Sequence, residues 1–151
     1  VKCEERNSLS AQHKFWNTAI KRGMEVRCPY TGNLLEERMY DLDHFIPWSF
    51  VSHDLLWNLI PADPSINSSK SNKLPDLDLY LPKLAIAHQA ALRINLNEGK
   101  QEKLLEDYLS LGYTPQEIVS MDREHLFNCF FQTFTPMHQI ALNMGFETWK
   151  Y

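Results

Sequence analysis

Hydrophobic positions recur at helical spacing near the start of the chain, and this spacing is lost after residue 26. Within residues 8–22 an apolar stripe repeats every three or four positions and ends before Gly23, which predicts an amphipathic helix. The stripe consists of Phe15, Trp16, Ala19 and Ile20. Between Val26 and Phe50 the chain instead contains turn residues, in CPYTGNLL, and an alternating stretch, MYDLDHF. These features predict a β-hairpin.

A polar helix is predicted after the hairpin. The stretch LLWNLIPAD first adds a short extended segment. Asp63 followed by Pro64 is then a strong helix start, with aspartate as the N-cap and proline at the first helical position. The predicted helix, PSINSSKSNK, is polar on almost every side and ends before Pro75. A helix with so small an apolar surface adds little to the packing of a core, so we expect its side chains to serve another purpose.

The second half of the chain is predicted to be helical. Helix starts are expected at Pro82, at the capping box Thr114-Pro115-Gln116-Glu117, and at Thr135-Pro136. The apolar stripes are Leu84, Ala87, Ala91 and Ile94; Leu104, Leu105, Tyr108 and Leu109, closed by Gly112; and Phe127, Phe130, Phe131 and Phe134. The phenylalanine stripe could be a base-stacking platform, but its helical spacing favours core packing. The histidines beside these stripes, interpreted as ordinary helix residues, are His88, His125 and His138.

The composition indicates a soluble globular protein with one core domain. The 151 residues are 44% hydrophobic and 23% charged, which is enough to bury a core. No apolar run reaches the length of a membrane span, and no signal-peptide pattern opens the chain. The scattered Cys3, Cys28 and Cys129 form no disulfide framework, so a reducing compartment, and hence a cytoplasmic location, is expected. A start at Val1 rather than Met is compatible with a piece of a longer chain.

The distribution of charge is more informative than the net charge of −4, which does not favour nucleic-acid binding. Residues 1–40 carry seven basic and five acidic side chains, whereas residues 76–151 carry six basic and ten acidic ones. A polyanion is therefore expected to approach the N-terminal side. Lys100 and Lys103, on the acidic C-terminal side, are not expected to contribute. The candidate phosphate contacts are Lys14, Lys21, Arg22 and Arg27.

The stretch DLDHFIPWSF, residues 41–50, places two carboxylates and a histidine within four positions. One interpretation is a metal ion with a general base beside it; the other is a polar strand end whose histidine caps the core. If the hairpin packs against the polar helix, His44, Asp43 and Asn67 can converge. Imidazole suits a general base at neutral pH, and carboxylate and amide oxygens suit a hard cation. Such a set has the chemistry for phosphodiester hydrolysis.

Residues 41–75 resemble the HNH motif of the ββα-metal nucleases, and most closely the HNH domains of RNA-guided CRISPR effector nucleases and their restriction-type relatives. Those domains share an Asp-x-Asp-His-x-x-Pro-x-Ser-Phe block, an Asn, a second Asn nine residues later, and a Lys-Ser pair before Pro. The matching positions are Asp41, Asp43, His44, Pro47, Ser49, Phe50, Asn58, Asn67, Lys70, Ser71 and Pro75. CPYTG at residues 28–32 also resembles the first strand of such domains.

The resemblance implies a role for each polar residue of the motif. His44 would be the general base that activates water, and Asp43 and Asn67 would hold a divalent cation. Asn58 would bond across the hairpin and fix the loop that presents His44. Lys70 would face a phosphate.

The resemblance also implies the metal. Asp41 would be an extra ligand or would support one. The last residue of the motif is asparagine instead of histidine, which favours Mg²⁺ or Mn²⁺ over the zinc or nickel that imidazole suits. Since the zinc-binding cysteine pairs of many relatives are absent from the sequence, the flanking helices are expected to brace the hairpin.

The resemblance thus implies an α+β fold with a ββα-metal core at residues 28–75. An N-terminal helical lead at residues 1–27 and a C-terminal helical subdomain at residues 76–151 would flank it. The expected activity is metal-dependent DNA cleavage to 5′-phosphate and 3′-hydroxyl ends, in bacterial restriction or phage defence. Another domain or subunit would supply target specificity, and no membrane partner is expected. Two alternatives stay open: a catalytically idle DNA- or protein-binding module, and an RNA-cutting nuclease or toxin.

Overall fold

Residues 8–151 fold as a set of helices that carry three short strand pairs. The computed structural model describes residues 8–151, so Cys3 lies outside the described part. The helices are α1 (Ser10–Lys21), α2 (Trp48–Val51), α3 (Asn67–Lys70), α4 (Leu77–Glu98), α5 (Pro115–Ser120) and α6 (Arg123–Asn143), with 3-10 helices at Leu56–Asn58, Pro64–Ile66 and Leu104–Leu111. The strands are β1 (Val26–Arg27), β2 (Leu34–Leu35), β3 (Asp41–His44), β4 (Leu59–Ala62), β5 (Leu74–Pro75) and β6 (Thr148–Trp149). This mixture fits the predicted α+β class.

The first strand pair, β1 with β2, is antiparallel and closes a tight turn. The turn is the CPYTG stretch, which the resemblance had suggested as a strand. Gly32 takes a positive φ of 79° within it, a conformation that glycine adopts without steric cost. The Cys28 N–H donates to the Asn33 carbonyl across the turn.

The second pair, β3 with β4, carries the candidate chemistry. The two strands are antiparallel, with Asp43 opposite Ile60 and His44 opposite Leu59. The hairpin predicted within residues 26–50 does form, from β1 and β2, but β3 is not part of it and pairs with β4 from outside that range. The reason is burial: all four residues of β4 are buried, so their backbone groups need hydrogen-bonded partners.

One hydrophobic core joins the N-terminal helix, the strand pair and the C-terminal helices. Its fully buried members include Phe15, Trp16, Phe45, Ile46, Ala62, Leu81, Leu84, Phe130 and Phe134. The interpretation of the phenylalanine stripe as core packing is confirmed for Phe130 and Phe134. Since Phe45 and Ile46 directly follow β3, the same core anchors the strand end that carries His44.

His88 of α4 connects this core to β4. Its Nδ1 lies 2.6 Å from the Tyr108 hydroxyl and its Nε2 lies 2.8 Å from the Leu59 carbonyl oxygen. Complete burial lowers the pKa of His88 to about 3, so the ring stays neutral at physiological pH. His88, interpreted from the sequence as an ordinary helix residue, is thus a buried brace for the strand opposite β3.

Two of the predicted helix starts are wrong. α4 begins at Leu77 and not at Pro82. Its N-cap is Asp76, whose side chain accepts a hydrogen bond from the Leu79 N–H. α6 runs through Pro136 without interruption, and Asp122 caps it. Each proline costs one backbone hydrogen bond, which the buried apolar faces of these helices outweigh. The starts predicted at Asp63 and at the Thr114 capping box are confirmed.

None of the helices within residues 8–151 combines the length and the apolar content that a membrane span needs.

The C-terminal residues pack against the segment that contains α3, and no local sequence pattern had indicated this contact. β6 pairs in parallel with β5, directly after the polar segment that contains α3. The Trp149 indole N–H donates to the Ser69 hydroxyl at 3.0 Å, and its ring packs edge-on against Tyr30 at 5.0 Å. The C-terminal residues therefore hold α3 against the rest of the fold.

Candidate functional site

An open cleft gathers most of the polar residues that the sequence singled out. It lies between β3, the first turn of α1, α2 and α3. The polar side chains in its lining include His13, Asp41, Asp43, His44, Ser49 and Asn67. Four residues predicted to share a site, at positions 41, 43, 44 and 67, thus meet at one surface. The remaining two, Asn58 and Lys70, lie behind the cleft wall, where they are buried.

Asn58 makes the contact across the hairpin that the resemblance implied. Its side-chain Oδ1 accepts from the Ile46 N–H, and its Nδ2 donates to the Ile46 carbonyl, both at 2.9 Å. Its own carbonyl accepts from the Phe45 N–H at 2.8 Å. Asn58 is fully buried, so it acts on His44 only through the backbone of the residues that follow it. Asn58 is therefore a positioning residue.

His44 is paired with a carboxylate that sequence reasoning missed. Its Nε2 lies 2.8 Å from Asp54 Oδ1, and the two side chains are only 13% and 22% exposed. Asp54 belongs to the loop between α2 and the 3-10 helix Leu56–Asn58. Nothing local distinguishes this aspartate from an ordinary loop residue, because the pairing depends on how the loop folds back over β3.

Asp43 has two protein partners. The Lys70 ammonium donates to Asp43 Oδ1 at 3.2 Å and to the His44 carbonyl at 2.9 Å. The Tyr30 hydroxyl donates to Asp43 Oδ2 at 2.7 Å. Burial raises the pKa of Asp43 and lowers that of Lys70, while the attraction between the two charges opposes both shifts.

Lys70 does not fit the predicted phosphate contact. Its side chain is only 1% exposed, and its ammonium is directed at Asp43 and the backbone of β3. A buried ammonium needs a countercharge, and Asp43 supplies it. The helix that carries Lys70 is polar in sequence, but this face of it packs inward.

Tyr30 is a second residue that sequence reasoning missed. Burial raises its pKa well above the usual tyrosine range, so it remains a hydroxyl that can donate to Asp43. Its ring packs against Tyr80 and Trp149, each 5.0 Å away. The CPYTG stretch was noticed in the sequence, but its contact with Asp43 joins residues thirteen positions apart.

The side chains of Asn67 and Asp41 are neighbours in the lining of the cleft. The Asn67 Nδ2 donates to Asp41 Oδ2. Among residues 8–151 no hydrogen bond engages the Asn67 amide oxygen. Within the same described range, no group of three or more His, Cys, Asp or Glu is arranged to hold a metal ion. The oxygen donors that line the cleft with Asp43 are the Asp41 carboxylate and the Asn67 amide, and donors of this type suit a hard cation such as Mg²⁺ or Mn²⁺.

The predicted phosphate contacts are only partly brought together. Lys14, Lys21 and Arg22 line one groove beside α1, whereas Arg27 is not in its lining and bonds the Gly32 carbonyl instead. Three of these four cations are already paired: Lys21 with Glu37 at 3.3 Å, Arg22 with Glu98 at 2.7 Å and Arg27 with Glu25 at 3.8 Å.

The same groove also contains Arg38 and Lys100, both exposed. The expectation that Lys100 lies apart from the N-terminal cations is therefore wrong. The long helix α4 ends beside α1, which brings Lys100 to the basic side of the molecule.

Comparison with models of protein families gives a match over part of the chain. Residues 28–76 match the model of the HNH endonuclease family. No curated protein and no solved structure matches the chain. The matched segment runs from the turn after β1 to the N-cap of α4 and includes Asp43, His44, Asn58 and Asn67. This match supports the HNH family and, at a coarse level, a nuclease.

Proposed function

We propose that this chain is a metal-dependent HNH endonuclease that hydrolyses phosphodiester bonds in DNA to 5′-phosphate and 3′-hydroxyl ends. The observation that supports this most strongly is that Asp41, Asp43, His44 and Asn67 line one cleft within the segment that matches the HNH family. β3, β4 and α3 would form the ββα-metal core. A role in bacterial restriction or phage defence, in the cytoplasm, rests on the resemblance of residues 41–75 alone.

His44 would take a proton from the attacking water. The Lys70 bond to the His44 carbonyl and the Asn58 bonds to Ile46 fix the backbone at His44 and in the turn that follows it. A base held in this way gains rate because little motion is needed before proton transfer.

Asp43 and Asn67, with Asp41 beside them, would hold the cation. A bound Mg²⁺ or Mn²⁺ would stabilise the charge that develops on the phosphoryl group and on the leaving oxygen. Lys70 and Tyr30 keep the Asp43 carboxylate oriented at the cleft wall. A carboxylate has lone pairs for a cation in addition to these two hydrogen bonds.

DNA would enter along the basic groove beside α1. α1 contributes His13 to the cleft and Lys14 to the groove, so the two surfaces adjoin. Among residues 8–151, the cations in this groove that lie outside ion pairs are Lys14 and Lys100, since Arg38 lies 3.9 Å from Glu37, so the groove offers few phosphate contacts. Binding by the chain alone should therefore be weak, in the range of non-specific binding, and another domain or subunit would deliver the target.

A plasmid-cleavage assay tests the metal requirement. Supercoiled DNA should be cut in millimolar Mg²⁺ or Mn²⁺ and left intact in EDTA. Asp43→Ala and Asn67→Ala should each raise the Mn²⁺ concentration needed for cleavage. Lys83→Ala, on the exposed face of α4, serves as the control. Equal cleavage with and without EDTA would show that Asp43 and Asn67 are not metal ligands.

A further inference from the structure

We propose that Asp54 is the positioning residue of the general base: it holds the His44 ring with the proton on Nε2, so that Nδ1 is left to accept a proton from water. This inference rests on the proposed function of His44. It adds a residue that the HNH resemblance did not indicate, and it assigns a separate task to each ring nitrogen.

The first argument is the chemistry of the contact. The His44 Nε2 lies 2.8 Å from Asp54 Oδ1. A carboxylate accepts hydrogen bonds and donates none, so Nε2 must carry the proton in this pair. In a neutral imidazole the other nitrogen then has a lone pair. Within residues 8–151 no hydrogen bond engages the His44 Nδ1, and the His44 side chain lines the cleft.

The second argument is that the loop around Asp54 is held at several points. The Asp54 carbonyl accepts from Gln12 Nε2 at 3.4 Å, which ties the loop to α1. The Leu55 N–H donates to the His53 ring at 3.2 Å, and the Leu56 N–H donates to Asp107 Oδ2 at 2.9 Å. Asp54 is thus presented to His44 by a fixed loop, which is what positioning a base requires.

The third argument is that the ring is the only part of His44 left to orient. The Asn58 side chain holds the backbone of the turn after His44, and the Lys70 ammonium holds the His44 carbonyl. These contacts leave the side-chain torsions free. Asp54 supplies the remaining constraint and favours a positive charge on the ring as the proton arrives.

In the step that Asp54 serves, one O–H bond of the attacking water breaks as an Nδ1–H bond forms. The hydroxide oxygen bonds to phosphorus, and the P–O3′ bond breaks to leave a 3′ alkoxide that takes a proton from solvent. Asp54 keeps the Nε2 proton throughout as a hydrogen-bond acceptor, so no proton passes to it.

The kinetic test compares Asp54→Ala with a matched control, Asp78→Ala, which removes an exposed carboxylate on α4. A general base contributes about 10²- to 10⁴-fold to the rate. Loss of its orientation should therefore lower kcat for plasmid cleavage by about 10- to 100-fold and leave KM unchanged. Asp78→Ala should keep the wild-type kcat. An equal loss in both variants would show that the effect does not come from the contact between Asp54 and His44, which would overturn the proposal.

The spectroscopic test needs no substrate. Two-bond ¹H–¹⁵N correlation spectra of the 151-residue chain should show neutral His44 with its proton on Nε2, exchanging slowly with solvent. Asp54→Ala should make that proton exchange rapidly. A proton on Nδ1 in the wild type, or wild-type kcat in Asp54→Ala, would overturn the assignment. If His44→Ala instead cuts at the wild-type rate, the proposed function itself fails, whatever the spectrum shows.

Discussion

Lys70→Met should destabilise the protein strongly, although it keeps an unbranched apolar stem. The substitution removes an ammonium that lies 3.2 Å from Asp43 Oδ1 and 2.9 Å from the His44 carbonyl. Removing one partner of a buried ion pair costs about 3–5 kcal/mol, because the other charge stays buried without compensation. Asp43 is 11% exposed and keeps its hydrogen bond from Tyr30, so we expect the lower end, about 3 kcal/mol.

Urea unfolding at neutral pH measures this loss, with Lys83→Met on the exposed face of α4 as the matched control. The control should change the free energy of unfolding by less than about 0.5 kcal/mol. Adding Asp43→Asn to Lys70→Met should recover part of the loss, since no buried charge then remains. If Lys70→Met is as stable as the control, the ion pair is not a buried interaction and the description of the cleft wall is wrong.

The loss of unfolding free energy in Lys70→Met should also depend on pH in a defined direction. Burial raises the folded-state pKa of Asp43 above its ordinary value, and removing Lys70 raises it further. A carboxyl with a raised folded pKa loses stability as pH rises through that value. The deficit of Lys70→Met should therefore be smallest in acid, where Asp43 is protonated, and fully present at neutral pH. A deficit that is constant across this range would contradict the assignment to Asp43.

Two further predictions concern His88 and the basic groove. The pKa of His88 is lowered from 6.5 to about 3 by burial, so acid should destabilise the fold between these values by up to about 1.4 kcal/mol per pH unit. Urea unfolding across that range should show this slope, and the non-titrating His88→Gln should lose that part of it. Reversing Lys14 and Lys100 to glutamate should weaken binding to DNA of any sequence and reduce the salt slope by about 0.9 per lost phosphate contact. Lys83→Glu should leave the slope unchanged, and an unchanged slope in the double variant would exclude the groove as a DNA contact.

Local patterns in the sequence predicted those features that depend on neighbours along the chain. The amphipathic spacing located α1 to within two residues at its start, and the Asp63 cap located the turn that leads into α3. The spacing of the HNH motif indicated that Asn58 would fix the turn after His44. Each of these needs only a cap, a periodicity or a short motif.

Features that depend on distant contacts were missed. The partner of β3 could not be read from its own alternation, because burial of β4 decides the pairing. The pairing of His44 with Asp54 and the inward direction of Lys70 follow from how loops and α3 pack against β3. Pro136 stays inside a helix because the apolar face around it is buried on both sides of the proline.

Cleavage of supercoiled plasmid by wild type and His44→Ala, side by side in Mg²⁺, tests the central claim most directly. A general base contributes to rate and not to packing, so His44→Ala should lose about 10²- to 10⁴-fold in cleavage rate with a thermal melt close to wild type. Wild-type cleavage by a folded His44→Ala variant would contradict the account.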